Sequence, residues 1–231
     1  MTGAAPSPKA TLGSVTTRSG TLLLLVRHGQ TTTTGKLLPG RSPGLHLTPR
    51  GRAQAEEAAR RISRLVESRG SRAEPCAVYA SPLERTKETA RPIAGALGVP
   101  VRSARSLIEC DVGEWTGREL ARLRRLRQWH AVTSTPSLFR FPGGESFAEM
   151  QARALDGVAT LCARHPRGLV VAVSHADVIK GVLASALGTP LDLFQRLVVS
   201  PCSLSAVHVA PEGMHVLCVN STATLDELTL S

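Results

Sequence analysis

The fold of this chain is decided by the ten residues from Leu22 to Thr31, which read LLLLVRHGQT. The five apolar residues at the start are typical of a strand buried inside a parallel sheet, because both faces of such a strand are covered. The strand stops at polar residues and glycine, which places them at the carboxyl edge of the sheet, where open α/β sheets bind ligands. Arg27 offers a planar, permanently charged guanidinium suited to phosphate, and His28 is a nucleophile or general base near neutral pH. Gly29 lets the backbone approach a ligand closely.

A second apolar strand also ends at a histidine. Residues 169–173 read LVVAV, and residues 174–177 continue as SHAD. Because the carboxyl ends of neighbouring parallel strands meet at one edge, we expect His28 and His175 to lie close together.

A third strand is predicted over residues 76–80 (CAVYA), and SPLERT follows over 81–86. Pro82 and Glu84 suit the first turn of a helix. This places Arg85 in that turn, beside the carboxyl end of a strand, where the helix N-H groups also favour an anion.

Acidic residues are concentrated in an irregular stretch, residues 107–117, which reads LIECDVGEWTG. We call it the acidic segment. Irregular, partly buried acidic stretches are places where catalytic carboxylates occur. The residues alone do not decide whether Glu109, Asp111 or Glu114 supplies the carboxyl group of the site.

Periodicity, caps and turn residues predict the rest of the chain. The elements are a helix from Thr48-Pro49 to about Gly70, a basic helix over 118–128, an irregular segment over 129–142, a helix capped by Ser146, and a hairpin with strands over 203–209 and 214–219. The edge of the hairpin is a candidate homodimer contact, since an unpaired strand edge invites pairing. The long loop over 32–44 carries Arg41, a candidate second cation at the mouth of the first strand.

Length and composition predict one domain over residues 21–231, preceded by a flexible tail over 1–20. No apolar run is long enough to cross a bilayer, and the N-terminus lacks the apolar centre of a secretory signal. We therefore expect a cytoplasmic protein without a membrane partner.

The net charge of +10 fits an anionic partner or an arginine-rich surface. Dispersed arginines and only 3% aromatic residues make a nucleic-acid partner a weak hypothesis. The five cysteines form no C-x-x-C pair, so no metal site is predicted.

Two arginines and two histidines at one edge would bind a phosphoryl group through several oxygens and neutralise its charge. A neutral imidazole among them can attack phosphorus, and a carboxylic acid can protonate the departing alkoxide. Water would then release phosphate from the phosphohistidine. This scheme needs neither metal nor other cofactor, because the arginines take the place of the ion.

Several short motifs occur in an order that resembles one known family. They are RHGQT (27–31), GR (40–41), LTPRG (47–51), SPLERT (81–86), Glu109, GEW (113–115), PGGES (142–146) and VSH (173–175). With these motifs the chain resembles the histidine phosphatase superfamily, also called the phosphoglycerate mutase-like family.

The resemblance implies an α/β fold, a three-layer α/β/α sandwich around a central, mostly parallel sheet. It also implies His28 as the phosphorylated nucleophile and Glu109 as the proton donor. Arg27, Arg85 and His175 are implied as the phosphate pocket.

The chain departs from the family pattern at positions that line the implied pocket. Thr34 stands where members often carry asparagine, so its hydroxyl or that of Thr31 would have to replace the amide. Ala176 stands where glycine is frequent, and Thr116 replaces a common carboxylate. The residues expected to bind substrate are Arg27, Thr31, Thr34, Arg41, Arg85, His175 and Ala176.

The same phosphohistidine can serve a phosphatase or a mutase, which must keep water away from it. The segment Thr116–Pro142 is short compared with sugar-acid mutases, so we expect a phosphatase of small phosphorylated metabolites. A phosphomutase is the first alternative. A binder of phosphorylated ligands without catalysis is the second.

Overall fold

The computed structural model describes residues 20–68 and 76–223. Apart from Gly20, the tail predicted over residues 1–20 lies outside these ranges, and so does the helix end predicted near Gly70. The boundaries of the tail and of the domain therefore stay predictions. Within the described ranges, no helix is long and apolar enough to cross a lipid bilayer.

The described strands form a six-stranded and a two-stranded sheet. In chain order they are β1 (Thr21–Arg27), β2 (Leu37–Leu38), β3 (Cys76–Ala80), β4 (Val101–Ser103), β5 (Arg118–Glu119), β6 (Leu169–Ser174), β7 (Leu204–Ala210) and β8 (Gly213–Ser221). The large sheet has the order β4-β3-β6-β1-β7-β8, in which β1, β3, β4 and β6 are parallel and β7 is antiparallel to β1. The prediction of a mostly parallel central sheet is confirmed.

Strand β1 is apolar from Leu22 to Val26 because both of its faces are covered. Leu23 and Leu25 pack into one hydrophobic core, and Leu22, Leu24 and Val26 pack into the other. Alternate side chains of a strand point to opposite faces, so one buried strand contributes to two cores.

The described helices complete the layers. They are α1 (Pro49–Ser68), α2 (Glu84–Leu97), α3 (Leu120–Leu123), α4 (Trp129–Ser134), α5 (Phe147–Ala163) and α6 (Ala176–Ala186). Helices α1 and α2 contribute Ile62 and Ile93 to one core, whereas α5 and α6 contribute Met150 and Ile179 to the other. This is the predicted three-layer α/β/α sandwich.

Two helix starts use the predicted side-chain caps. The hydroxyl of Thr48 accepts a hydrogen bond from the N-H of Gly51 at 3.0 Å. Ser146 and Glu149 form a reciprocal capping box, in which each side chain accepts from the main-chain N-H of the other. These contacts satisfy N-H groups that the first turn of a helix leaves without a partner.

The secondary structure predicted for the residues between the acidic segment and α5 was partly wrong. Of the basic helix predicted over 118–128, only α3 is α-helical, and residues 118–119 instead pair with β2. The segment predicted as irregular over 129–142 contains α4 and a 3-10 helix at Pro136–Leu138. We call residues 118–140 the cap segment.

Aromatic packing explains why the cap segment departs from its local pattern. Trp129 stacks on Trp115 with ring centroids 6.1 Å apart, and Phe139 and Phe141 also contact Trp115. Phe147 of α5 continues the cluster. Contacts between residues far apart in sequence therefore fix this region more strongly than helix propensity does.

The predicted hairpin consists of β7 and β8 and lies at one edge of the large sheet. Leu217 and Val219 of β8 are exposed. The homodimer contact proposed for this edge stays a prediction.

Two glycines near the acidic segment have left-handed backbone conformations, with φ of 50° at Gly113 and 77° at Gly117. A Cβ atom on Gly113 would lie 2.1 Å from the carbonyl oxygen of Pro142, whereas one on Gly117 would meet no neighbouring group within 4 Å. Gly113 therefore allows the acidic segment to lie directly against the backbone at Pro142.

We predict that Gly113→Ala destabilises the protein more than Gly117→Ala does. Both changes place a side chain in the left-handed region, at a cost of roughly 1–2 kcal/mol, and only Gly113→Ala adds a backbone clash. Urea denaturation followed by circular dichroism would compare the two free energies of unfolding. Equal losses would contradict the close packing at Gly113.

Candidate active site

A cavity of about 370 Å³ opens at the carboxyl edge of the large sheet, and Arg27, His28 and Glu109 line it. The parallel register places Arg27 of β1 opposite Ser174 of β6, so the histidines that follow these residues leave the sheet side by side. The ring centroids of His28 and His175 are 5.3 Å apart. The structure thus brings together the two strand ends that the sequence singled out.

The tautomer of His28 follows from its hydrogen bond to the main chain. Its Nδ1 lies 2.8 Å from the carbonyl oxygen of Gly29. A carbonyl can only accept, so Nδ1 carries the proton and Nε2 carries a free lone pair. The N-H of Gly29 in turn donates to the hydroxyl of Thr89 at 3.0 Å, which fixes the backbone beside the ring.

His28 is neutral at neutral pH. Burial, followed by the charges of Arg27 and Arg85, holds its pKa well below the usual value. A cationic imidazole would have no lone pair for attack, so this depression keeps His28 in the form of a nucleophile.

His175 is fully buried behind His28. Its Nε2 lies 2.8 Å from the hydroxyl of Ser81, and its Nδ1 lies 3.6 Å from a carboxyl oxygen of Glu109. Burial and then the charge of Arg85 keep the pKa of this histidine well below the usual value. The Nδ1 atom has no hydrogen-bond partner within the described ranges.

Within the described part of the chain, both arginines of the site have N-H groups without a hydrogen-bond partner. Arg85 is completely buried and donates from Nη2 to the carbonyl oxygen of Gly40 at 2.8 Å, but its Nε and Nη1 have no partner among the described residues. Arg27 donates from Nη1 to the carbonyl oxygen of Val199, and its Nε has no such partner either. Buried charged donors without acceptors are costly, so this arrangement suits an anion with several oxygens.

Glu109 is the acid of the acidic segment that lines the cavity. Burial and then the charge of Asp177 raise its pKa to about 7, against the opposite effect of Arg85. The carboxyl group can therefore donate a proton near neutral pH. Asp111 instead binds Arg41 and the N-H of Gly113.

The threonines predicted to contact substrate form a hydroxyl cluster at the cavity wall. Thr34 accepts from the N-H of Thr31 at 2.9 Å, and the hydroxyl of Thr31 lies 3.1 Å from the hydroxyls of both Thr33 and Thr34. All three line the cavity, as does Ala176 at the start of α6. The hydroxyl of Thr34 is thus used within its own loop.

The structure places Arg41 differently from the expectation of a second cation in the pocket. Arg41 does not line the cavity. Its guanidinium contacts the carboxylates of Asp111 and Glu145 and the carbonyl oxygen of Glu109. These acceptors occupy its donors outside the cavity, so we assign it no contact with substrate.

Several residues of the site were not selected from the sequence. Ser81 and Thr89 fix the two histidine loops, and Asp177, Lys180 and Gln195 line the cavity. The sequence does carry a signal for two of them: Asp177 and Lys180 follow His175 at a spacing of three residues, which places them on one helix face.

The remaining wall of the cavity is largely apolar. Leu37 and Leu38 of β2 contribute to it, together with Leu120, Trp129 and Val132 of the cap segment. Arg124 and Thr133 add polar groups from the same segment. Across residues 20–68 and 76–223, no group of three or more His, Cys, Asp or Glu side chains is arranged to hold a metal ion.

Comparison with known proteins gives a family and several relatives. The model of the histidine phosphatase superfamily (branch 1) matches residues 23–222. Phosphoserine phosphatase 1 of Hydrogenobacter thermophilus is 30% identical over 213 residues, which cover 89% of this chain and 94% of that protein. The probable phosphoglycerate mutase GpmB of Erwinia tasmaniensis is 33% identical, with 79% of this chain and 82% of that protein covered.

One relative is much longer than this chain. Bifunctional protein Rv2228c of Mycobacterium tuberculosis is 35% identical over 214 residues. The match covers 89% of this chain and 55% of that protein.

Solved structures share the fold over most of the chain. YhfR of Bacillus stearothermophilus superposes with a TM-score of 0.78 at 27% identity, covering 88% of this chain and 98% of that one. The mycobacterial glucosyl-3-phosphoglycerate phosphatase Rv2419c superposes with a TM-score of 0.76 at 25% identity, covering 89% and 100%. The chain therefore belongs to the histidine phosphatase superfamily, branch 1, and is an enzyme of that superfamily.

Proposed function

We propose that this enzyme is a metal-independent phosphatase that hydrolyses small phosphomonoesters through a phosphohistidine at His28. One observation carries the proposal: the neutral His28 and Glu109, whose pKa is about 7, line one cavity. Beside His28, the partly buried Arg27 and the buried Arg85 carry N-H groups that lack acceptors among the described residues. Relatives named as phosphatases support the same reaction.

In the first half-reaction the phosphoryl group of the substrate binds to Arg27, Arg85 and His175. The Nε2 lone pair of His28 attacks phosphorus, and the bond from phosphorus to the ester oxygen breaks. Glu109 gives its proton to that oxygen, so the leaving group departs as a neutral alcohol. His28 becomes a phosphorylated imidazolium, which its Nδ1-H bond to Gly29 stabilises.

In the second half-reaction water attacks the phosphorus atom. The Glu109 carboxylate accepts a proton from the water, and the phosphorus-nitrogen bond breaks with its electron pair returning to Nε2. Inorganic phosphate leaves, and both His28 and Glu109 regain their starting states. One difficult displacement is thereby divided into two easier ones.

The proposed independence of metal rests on what the arginines supply. Guanidinium groups bind two phosphoryl oxygens at once and carry permanent charge, so they can stabilise the transferring group electrostatically. Arg27 and Arg85 lie close enough to His28 to lower its pKa by their charge.

Hydrolysis is favoured over phosphoryl transfer to a second substrate because the cap segment is short. Its helices α3 and α4 have only 4 and 6 residues and form one wall of the cavity. A mutase must shield its phosphoenzyme from water, which takes more extensive enclosure. We further propose a small phosphorylated metabolite as the substrate and the cytoplasm as the location.

The direct test is hydrolysis of p-nitrophenyl phosphate by the purified protein in the presence of EDTA. We expect the wild type to release nitrophenol and His28→Ala to release it at least about 10³-fold more slowly, because the nucleophile is lost. His215→Ala, which changes an exposed histidine of β8, should act like the wild type.

Loss of the activity in EDTA with recovery on adding Mg²⁺ would contradict metal independence. Equal rates for the wild type and His28→Ala would contradict the assignment of the nucleophile. A wild type that is inactive until a phosphorylated primer is added would favour the mutase.

The effect of Glu109→Gln on kcat/KM should depend on the leaving group of the substrate. Because the glutamine amide cannot act as a general acid, kcat/KM should fall by about 10²–10⁴-fold for phenyl phosphate and much less for p-nitrophenyl phosphate, whose leaving group needs little protonation. With phenyl phosphate, kcat/KM of the wild type should also fall as the pH rises through about 7, where Glu109 loses its proton.

Glu109→Gln should lack this alkaline fall. Ionisation of the substrate affects both proteins equally, so the difference between their pH profiles reports Glu109. Identical profiles would show that another group is the acid.

A further inference from the structure

Glu109 and Arg85 are both anchored outside the cavity by neighbouring residues of one loop. The guanidinium of Arg41 donates from Nε to the main-chain carbonyl of Glu109 at 2.8 Å. Arg85 donates from Nη2 to the carbonyl oxygen of Gly40, the residue before Arg41, at 2.8 Å. The side chain of Arg41 therefore bears on the proposed acid, whereas Arg85 is held by the main chain of Gly40 and not by that side chain.

Arg41 is itself fixed by two carboxylates of unequal exposure. Its Nη2 lies 3.0 Å from Glu145 and its Nη1 lies 3.2 Å from Asp111. The side chain of Glu145 is 13% exposed, and that of Asp111 is 42% exposed. An ion pair near the surface is screened by water, so the contact with Glu145 is the stronger anchor.

Glu145 connects both flanks of Glu109. Arg153 binds it with a two-pronged contact, Nε to Oε1 at 2.9 Å and Nη2 to Oε2 at 3.0 Å. The same arginine donates from Nη1 to the carbonyl oxygen of Ser106, three residues before Glu109 in the chain. After Glu109, the N-H of Asp111 donates to Glu145 Oε2 at 3.2 Å.

The main chain of Glu145 adds a further link, because its N-H donates to the carbonyl oxygen of Asp111 at 2.8 Å. Residues 108–112, which contain Glu109, lie between two 3-10 helices and have no regular secondary structure of their own. Regular hydrogen bonding therefore does not fix this stretch. Several of the contacts that hold it converge on the carboxylate of Glu145 instead.

We infer that Glu145, in the PGGES motif, is a positioning residue that fixes the backbone of Glu109 so that its carboxyl group reaches the leaving oxygen. This inference rests on the proposed function. Glu145 does not line the cavity, and its carboxylate binds Arg41, Arg153 and the main chain of Asp111, so it acts through these groups.

Glu145→Gln isolates this role because it keeps the shape of the side chain. The change removes the negative charge between two guanidinium groups and replaces one acceptor oxygen by an NH₂ donor. Arg41 and Arg153 then lose charge-assisted hydrogen bonds, and the two arginines hold the flanks of Glu109 less firmly. Attack by His28 does not depend on these contacts.

The test compares kcat/KM for phenyl phosphate and p-nitrophenyl phosphate, which differ little in size but much in leaving group. For Glu145→Gln we expect a fall of about 10- to 100-fold with phenyl phosphate and at most about 3-fold with p-nitrophenyl phosphate, because a displaced acid harms only the substrate that needs it. Glu145→Asp, which retains the charge, should recover part of the loss.

Glu149→Gln is the matched control, because Glu149 also pairs with an arginine near the start of α5 but contacts Ser146 and Arg140 only, among the described residues. It should change neither substrate's kcat/KM. If Glu145→Gln does not fold, Arg41→Gln removes the contact to Glu109 directly and should give the same selective loss.

Equal falls with both substrates, or no fall with either, would overturn the positioning role while leaving the phosphatase proposal intact. Failure of the proposed function would give a different result. The wild type would then hydrolyse neither substrate, or its activity would not depend on His28.

Discussion

Positive charge whose N-H groups lack acceptors among the described residues is the constraint on which this site depends. The guanidinium of Arg85 is fully buried, and both it and Arg27 carry N-H groups that have no acceptor among the described residues. Burying a charge in this way is costly unless an anion completes its hydrogen bonds. The same charges act on the imidazoles beside them and help to keep His28 and His175 neutral. A phosphoryl group can satisfy the arginines, and the neutral histidine that they help to maintain can attack it.

The carboxylates are distributed so that they do not neutralise this charge. Glu109 faces the cavity, but burial and Asp177 raise its pKa to about 7, so much of it is protonated at neutral pH. Asp111 and Glu145, by contrast, pair with Arg41 on the outer side. The site therefore separates one carboxyl group for proton transfer from others that stabilise the surrounding backbone. Differences in burial and in neighbouring charges therefore allow one carboxyl group to carry a proton while the others stay ionised in ion pairs.

The sheet and the positions of Arg27, His28, Arg85 and His175 could be predicted because buried strands and helix starts have local patterns. The choice of Glu109 could not be derived from the residues alone, since it depends on which carboxyl group an irregular backbone turns toward the cavity; the family resemblance supplied it. The prediction for the cap segment was partly wrong because Trp115 and Trp129 stack although β5 and α3 lie between them in sequence, a contact that no periodicity reveals. The pairing of Arg41 with Glu145 could not be predicted because the two residues are 104 positions apart in sequence.

Identification of the phosphorylated atom tests the central claim most directly. Glu109→Gln would be mixed with p-nitrophenyl phosphate and quenched in alkali, which preserves phosphohistidine, because loss of the base for the second step should let the intermediate accumulate. Peptide mass spectrometry should then find phosphate on His28, and ³¹P NMR should assign it to Nε2, the nitrogen that does not bind Gly29. Phosphate on another residue, or hydrolysis without any phosphorylated protein, would contradict the account.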